Sequence, residues 1–207
     1  MKRSIFLIFS VLMFSAAAQA APEGCVVSGV LGDAMVMRDG KETPAAKGDS
    51  LKKDDMVKTS PNCQLDMSMN GLAGCRVLPG SAVKVMDWKS ENMSLKVETG
   101  NVVLNLKTLP KSSSFKIETP AAVATVRGTQ FWGRVNPSAD SAVTTFAVRK
   151  GSVEISPAGG AQAMPVVLKP GQAIDITTKE SSTYAVREAL PEEMTAMEQA
   201  DQISNSE

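Results

Sequence analysis

The chain has 207 residues, with 22 basic and 22 acidic side chains and no histidine. That balance supplies no positive patch for nucleic-acid phosphates and no electrostatic hold on anionic lipid. Without an imidazole, Ser-His and Cys-His catalysis in their common forms, histidine-ligated zinc and a histidine pH switch are all excluded.

In chain order, residues 1–20 read as a secretory signal. Lys2 and Arg3 form a basic start, Ile5 to Phe14 an apolar run broken by Ser10, and Ala18-Gln19-Ala20 the small residues a signal peptidase reads. Cleavage after Ala20 is expected, with a periplasmic or secreted product. The rival reading is a retained anchor, whose apolar run is short against a bilayer span of roughly 20 residues. Residues 21–207 carry 20 basic and 22 acidic side chains, a net of −2. They suffice for one domain with a proper core, or two small ones. No later stretch is apolar enough to span a bilayer, so no transmembrane segment is expected in the mature chain.

From Cys25 to Ile176 the pattern is short strands between turns. Val26–Leu31 and Met35–Arg38 come first, followed by the turn dipeptide Asp39-Gly40. Met56–Thr59 and Gln64–Met69 flank Ser60-Pro61-Asn62, and Asn70-Gly71 leads to Cys75–Leu78. Val83–Trp88, Leu95–Glu98, Val102–Leu106, Phe115–Thr119 and Ala122–Val126 follow. Gln130–Val135, Val143–Arg149, Val153–Ser156, Pro165–Leu168 and Ala173–Thr177 complete the set. Val102, Leu104 and Leu106 share one face, as do Phe115 with Ile117, and Phe131, Gly133 and Val135; such alternation marks half-buried strands. The spacing Gly80 to Gly100 equals that of Gly151 to Gly171, 20 residues each. It suits stacked rungs of a short solenoid or the repeated turns of a sandwich.

Three cysteines are present, Cys25, Cys63 and Cys75. In an oxidising compartment a disulfide is expected. Cys63 and Cys75 flank one hairpin and are the leading pair. Hairpin counting sets them roughly three positions out of register, so a bulge or a bridge to Cys25 would change the pairing. Three thiols without histidine do not make a zinc site, and no cofactor is expected. At the C-terminus, Pro191-Glu192-Glu193 opens a helix. Met194, Met197, Ala200 and Ile203 recur at helical spacing, and acids dominate the tail.

One stretch resembles a known family. Thr125-Val126-Arg127-Gly128-Thr129-Gln130-Phe131, following Phe115-Lys116-Ile117-Glu118-Thr119-Pro120, resembles the core signature of the FecR domain, with Val126, Arg127, Gly128, Thr129 and Phe131 as its key positions. Lys47-Gly48-Asp49, Leu95–Val103, Phe146–Val153 and Pro170-Gly171-Gln172 resemble the family's flanking turns and strands, so the likeness covers residues 26–176. The resemblance implies an extracytoplasmic, all-β, ligand- or partner-binding module. In the founding members this domain is the periplasmic half of an iron-transport regulator; it contacts an outer-membrane receptor and controls a sigma factor. Here no cytoplasmic anti-sigma segment or internal span is evident, so the transmembrane signalling role is not carried over. Many stand-alone FecR-like proteins consist of a signal peptide and this domain.

The expected fold is therefore all-β: many short strands in a FecR-type β-sandwich or short β-solenoid, with one C-terminal amphipathic helix. The expected layout is a signal peptide over 1–20, the FecR-like domain over 21–178, and a linker with an acidic helix over 179–207. Arg127 either satisfies carbonyls or carboxylates or belongs to a binding surface, and Gly128 serves a positive φ or close packing. Trp132 and Arg134 alternate with Phe131 and Val135. Exposed, they would form a partner hot spot; under a further layer, they would be core. Trp88 is read the same way. The helix either docks on its own domain or lies in a partner's groove. The adjacent carboxylates Asp54-Asp55 and Glu192-Glu193 do not form an acid–base pair, because strand neighbours face opposite ways and acids at a helix start follow the dipole. No catalytic residue is assigned. The resulting reading is a non-enzymatic binding or scaffold module with a protein partner in the cell envelope. A carbohydrate-binding or carbohydrate-processing envelope protein using Trp88 or Trp132 is the alternative, and a many-copy structural assembly the third. The oligomeric state is left open.

Overall fold

Alternating apolar residues have to bury one face of every strand, and this chain does so by pairing two sheets. The computed structural model describes residues 24–89, 91–110, 112–158, 164–178 and 184–201; the segment 1–20, expected to be a signal peptide, and Ile203 lie outside them. In chain order the strands are β1 (Cys25–Leu31), β2 (Ala34–Arg38), β3 (Lys41–Pro44), β4 (Ser50–Leu51), β5 (Met56–Thr59), β6 (Gln64–Met69), β7 (Ala73–Val77), β8 (Ala82–Asp87) and β9 (Asn92–Leu106). They continue as β10 (Ser114–Glu118), β11 (Ala122–Val126), β12 (Gln130–Ser138), β13 (Ser141–Lys150), β14 (Val153–Pro157), β15 (Val166–Leu168), β16 (Gln172–Thr177) and β17 (Val186–Glu188), ahead of helix α1 (Pro191–Gln199).

The first sheet runs β4-β1-β6-β7-β9-β12-β13-β16-β17. The second runs β3-β2-β5-β8-β9-β10-β11-β14-β15. The pairings are antiparallel except β9 with β10. The inner faces share one apolar core, with Val27, Leu65, Val77 and Leu104 from the first sheet and Val57, Val85, Leu95, Ile117 and Ile155 from the second. This is a β-sandwich of hairpins, not a stack of parallel rungs.

The sheets are joined by β9 itself. Its 15 residues pair with the second sheet up to Thr99 and with the first from Gly100. Gly100 has φ 86°, and a Cβ there would lie 2.5 Å from the Ser81 Cα, so the bend requires glycine. The two segments predicted as separate strands are thus one bent strand. The repeated 20-residue glycine spacing has the same origin. Gly80 to Gly100 encloses the β8–β9 hairpin, and Gly151 to Gly171 encloses β14 with β15; both are excursions into the second sheet.

Four short edge strands, β3, β4, β15 and β17, were not all foreseen: β3, β4 and β17 escaped the alternation pattern because they are too short or too exposed to show it. Their 2–4 residues, with Pro44, Lys41 and Arg187 among them, leave little unpaired backbone for another chain to join.

The Cys63–Cys75 disulfide is not formed. Cys25, Cys63 and Cys75 are all buried and free. The β6–β7 register sets Cys75 opposite Met67, four positions beyond Cys63, or about 13 Å at strand rise, well past disulfide reach. A Cys25 bridge is likewise absent; its Sγ lies 4.0 Å from Met67 Sδ. Burial, reinforced by the nearby Asp55 charge, pushes the Cys25 thiol up to about 12. Burial raises Cys75 as well.

Candidate partner-binding site

The signature residues build a corner at which the chain leaves the second sheet at β11 and enters the first at β12. Val126 and Phe131 anchor its two ends in the core, and the Phe131 ring lies 6.3 Å from that of Phe146. Thr129 is buried; its hydroxyl donates to the Ser152 carbonyl at 3.0 Å, and its own carbonyl accepts from Leu106 N at 3.0 Å. Gly128 has φ 123° and passes within 3.2 Å of Thr108 Cα, as measured to the Cβ it lacks. Positive φ and close approach both act there. Arg127 does not satisfy carbonyls or carboxylates as one expectation had it: it is exposed and makes no ion pair among the described residues. A rigid corner therefore holds one free guanidinium toward solvent.

The outer face of the first sheet holds Trp132 and Arg134. One register row crosses six strands: Arg76 on β7, Val103 on β9, Trp132 on β12, Ala147 on β13, Ala173 on β16 and Arg187 on β17. Helix α1 lies across its middle. Met197 and Ala200 pack on Val103, Trp132, Ala147 and Ala173 as a second apolar cluster. Trp132 is consequently only 5% exposed. This corrects the hot-spot reading of Trp132: the further layer exists, and the helix docks on its own domain. The uninterrupted burial of Gln130 to Gly133 and of Thr144 to Val148 follows from cover on both faces. Arg134 stacks on the Trp132 ring at 5.0 Å. Arg127, at the corner, does not belong to this pair.

Polar contacts ring the helix. Arg187 donates to both Glu193 oxygens at 2.7 and 3.0 Å, and to Asp175 at 2.7 Å. Arg149 donates to Gln130 Oε1 and Asp201 at 2.8 and 2.7 Å, while Gln130 donates to Asp201 and the Met197 carbonyl at 2.7 and 2.9 Å. Arg76 holds Asp66 and reaches the Gln199 carbonyl at 2.9 Å. Hydrogen bonds from Arg149 and Gln130 hold the Asp201 carboxyl below its ordinary value. Burial pushes Asp175 up, but Arg187 and Thr145 outweigh it and the net direction is down. Glu193 also accepts from Leu190 N at 2.8 Å, closing the helix start. None of these arginines was legible as a group in the sequence, because each comes from a different strand and only the register aligns them.

Residues 55–154 match the FecR protein family model, a span from the residue directly ahead of β5 through the signature corner and into β14. These residues, just under half of the chain, correspond to a FecR domain. Two crystal structures of a candidate anti-sigma factor from Parabacteroides distasonis ATCC 8503, at 2.50 and 1.65 Å resolution, share the fold. Each has a TM-score of 0.58 at 15% identity, over 70% of this chain and 64% of theirs. This chain thus spans less than two thirds of their length. No curated protein matches it.

The matched span begins at Asp55, which is 1% exposed. Its carboxylate accepts from Arg38 Nε and Nη2 at 2.8 and 2.5 Å and from Lys52 N at 2.7 Å. Burial raises this carboxyl, and the Arg38 and Lys52 contacts bring it below the ordinary value. Asp54 turns outward to Lys84 at 2.8 Å. The two acids of each adjacent pair, Asp54-Asp55 and Glu192-Glu193, thus sit in different surroundings: Asp55 and Glu193 are buried and paired, while Asp54 and Glu192 are exposed. Beside Arg38 an open cleft of about 670 Å³ is lined by Val36, Lys41, Thr43, Asp49 and Leu51 among others. Among the described residues no aromatic ring lines it. Trp88 is half-buried against the core, its carbonyl taken by Asn70 at 2.5 Å. Among the described residues no helix is long and apolar enough to cross a membrane.

Proposed function

We propose that this chain is a non-enzymatic, exported FecR-domain module that engages a protein partner in the cell envelope. The observation that carries the reading is the signature corner: its backbone is fixed by Thr129, Gly128 and two buried anchors, and it presents Arg127 unpaired. A donor set held rigid on its scaffold loses little freedom on binding, and arginine is a frequent hot-spot residue. The FecR domain and the fold shared with a candidate anti-sigma factor support a regulatory, protein-binding role over a catalytic one. Export rests on the Lys2-Arg3 start, the apolar run and Ala18-Gln19-Ala20.

The test is affinity capture from envelope extracts with the wild-type chain and Arg127→Glu side by side. The expected result is a recurring envelope protein whose recovery falls about tenfold with the variant. Repeated capture with no specific protein from either chain would contradict the reading. N-terminal sequencing of the protein from its own cell should begin at Ala21; a start at Met1 in a cytoplasmic fraction would contradict export.

A further inference from the structure

The face under α1 has the composition of a binding site. Its floor is the apolar row Val103, Trp132, Ala147 and Ala173, and four arginines stand around it: Arg76, Arg134, Arg149 and Arg187. The helix it holds is acidic, and no basic residue follows Arg187 in the chain. Met197 and the C-cap Ala200 are the buried apolar residues of this segment, with Met194 and Ala196 packed beside them, and carboxylates supplement that contact: Glu193 meets Arg187, and Asp201 meets Arg149. Two buried polar atoms remain unmet beside this footprint: among the described residues Arg134 Nε and Asn101 Oδ1 have no hydrogen-bond partner, and their residues are direct neighbours across β12 and β9. The resident helix does not use all that the face offers.

We propose that this Trp132-centred, arginine-rimmed face receives an acidic amphipathic helix of the partner protein, and that α1 is a resident occupant the partner displaces. This rests on the binding-module reading and names its surface. Charge complementarity identifies the occupant: two apolar residues three apart, as in Met197 and Ala200, with carboxylates before and after them, as in Glu193 and Asp201. A partner helix that also brings a carboxylate to Arg134 Nε and a donor to Asn101 Oδ1 gains contacts α1 lacks, which is the differential interaction displacement needs. While α1 is in place, the apparent affinity for any competitor is reduced by the fraction of time the face is open.

The test uses the full chain carrying Trp88→Phe, so that Trp132 is its one tryptophan. Glu198→Gln with Asp201→Asn weakens the exposed end of α1, and Arg149→Gln is a second route from the sheet side. The probe is a synthetic peptide of residues 189–204. In the weakened double variant, Trp132 should become open to acrylamide, and the peptide should restore its protection saturably. Binding should be at least about tenfold tighter than to the chain with α1 intact, and about tenfold weaker for a peptide carrying Glu193→Gln and Asp201→Asn. Arg149→Gln should release α1 and weaken the peptide together. Four results would each overturn the proposal. Trp132 staying protected in both variants would make α1 a fixed part of the core. An opened face that ignores the peptide would not be a receptor. Equal binding of the acid-depleted peptide would remove acid recognition. Concentration-dependent dimers with exchanged α1 would make a second copy the occupant. Because these are measurements on purified protein, a negative outcome removes this surface while the envelope capture with Arg127→Glu still decides the binding role separately.

Discussion

Phe131 and Arg127 are four residues apart in one signature, yet one is fully buried and the other exposed. Their substitutions should separate accordingly. Phe131→Ala should cost about 3–5 kcal/mol in urea unfolding, through lost transfer and a cavity against Phe146. Arg127→Ala should stay within about 0.5 kcal/mol while affecting capture of the partner. Equal destabilisation by both would refute the assignment of Arg127 to the surface. The thiols give a second residue-scale outcome. Cys25 and Cys75 are buried with raised pKa values, so neither should react with a disulfide reagent at pH 8 until denaturant is added. A native mass two hydrogen atoms short of the fully reduced chain would show a disulfide instead. At this scale, the sequence made Phe131 and Gly128 readable, because alternation and glycine chemistry act locally. It did not decide Trp132, whose burial depends on a helix about 60 residues further along the chain, beyond the reach of strand periodicity.

Helix α1 is held by ion pairs as well as by apolar contact, and its hold should depend on pH. The folded state depresses the Asp201 carboxyl through Arg149 and Gln130, and Asp175 is depressed through Arg187 despite burial. A depressed carboxyl stabilises the docked state above its unfolded value, and this stabilisation is lost as pH falls through the folded value. Trp132 emission in the Trp88→Phe chain should therefore hold steady from neutral pH to about 5 and shift to longer wavelength below about 4. Loosening on raising the pH from 5 to 8 would contradict the ion-pair basis. The helix start was visible in Pro191-Glu192-Glu193 because proline and acids there have local causes. Strands β3, β4 and β17 were not visible, since Lys41 to Pro44 is exposed throughout and two- or three-residue edges carry no period. The bend in β9 was misread as a break, because Thr99-Gly100-Asn101 has turn chemistry but keeps its backbone pairing.

As a whole, the molecule is a β-sandwich, matched to the FecR family over residues 55–154, whose two sheets exchange strands at glycine corners, with a helix as a third layer over one outer face. The all-β class followed from alternation and turn spacing. The choice of sandwich over solenoid did not, because a 20-residue glycine interval fits either, and only pairing shows that it encloses hairpins. The interior is filled by side chains, so the proposed recognition falls to corners and outer faces: the Arg127 corner and the arginine-rimmed face beneath α1. Proximity labelling from the full chain at native level in its own cell bears most directly on the idea that this body is exported and recognises an envelope protein. The expected result is a short, reproducible set of envelope proteins, with one strongly enriched member that drops out with Arg127→Glu. Labelling confined to cytoplasmic proteins, or a profile identical to that of an unrelated exported protein, would contradict it.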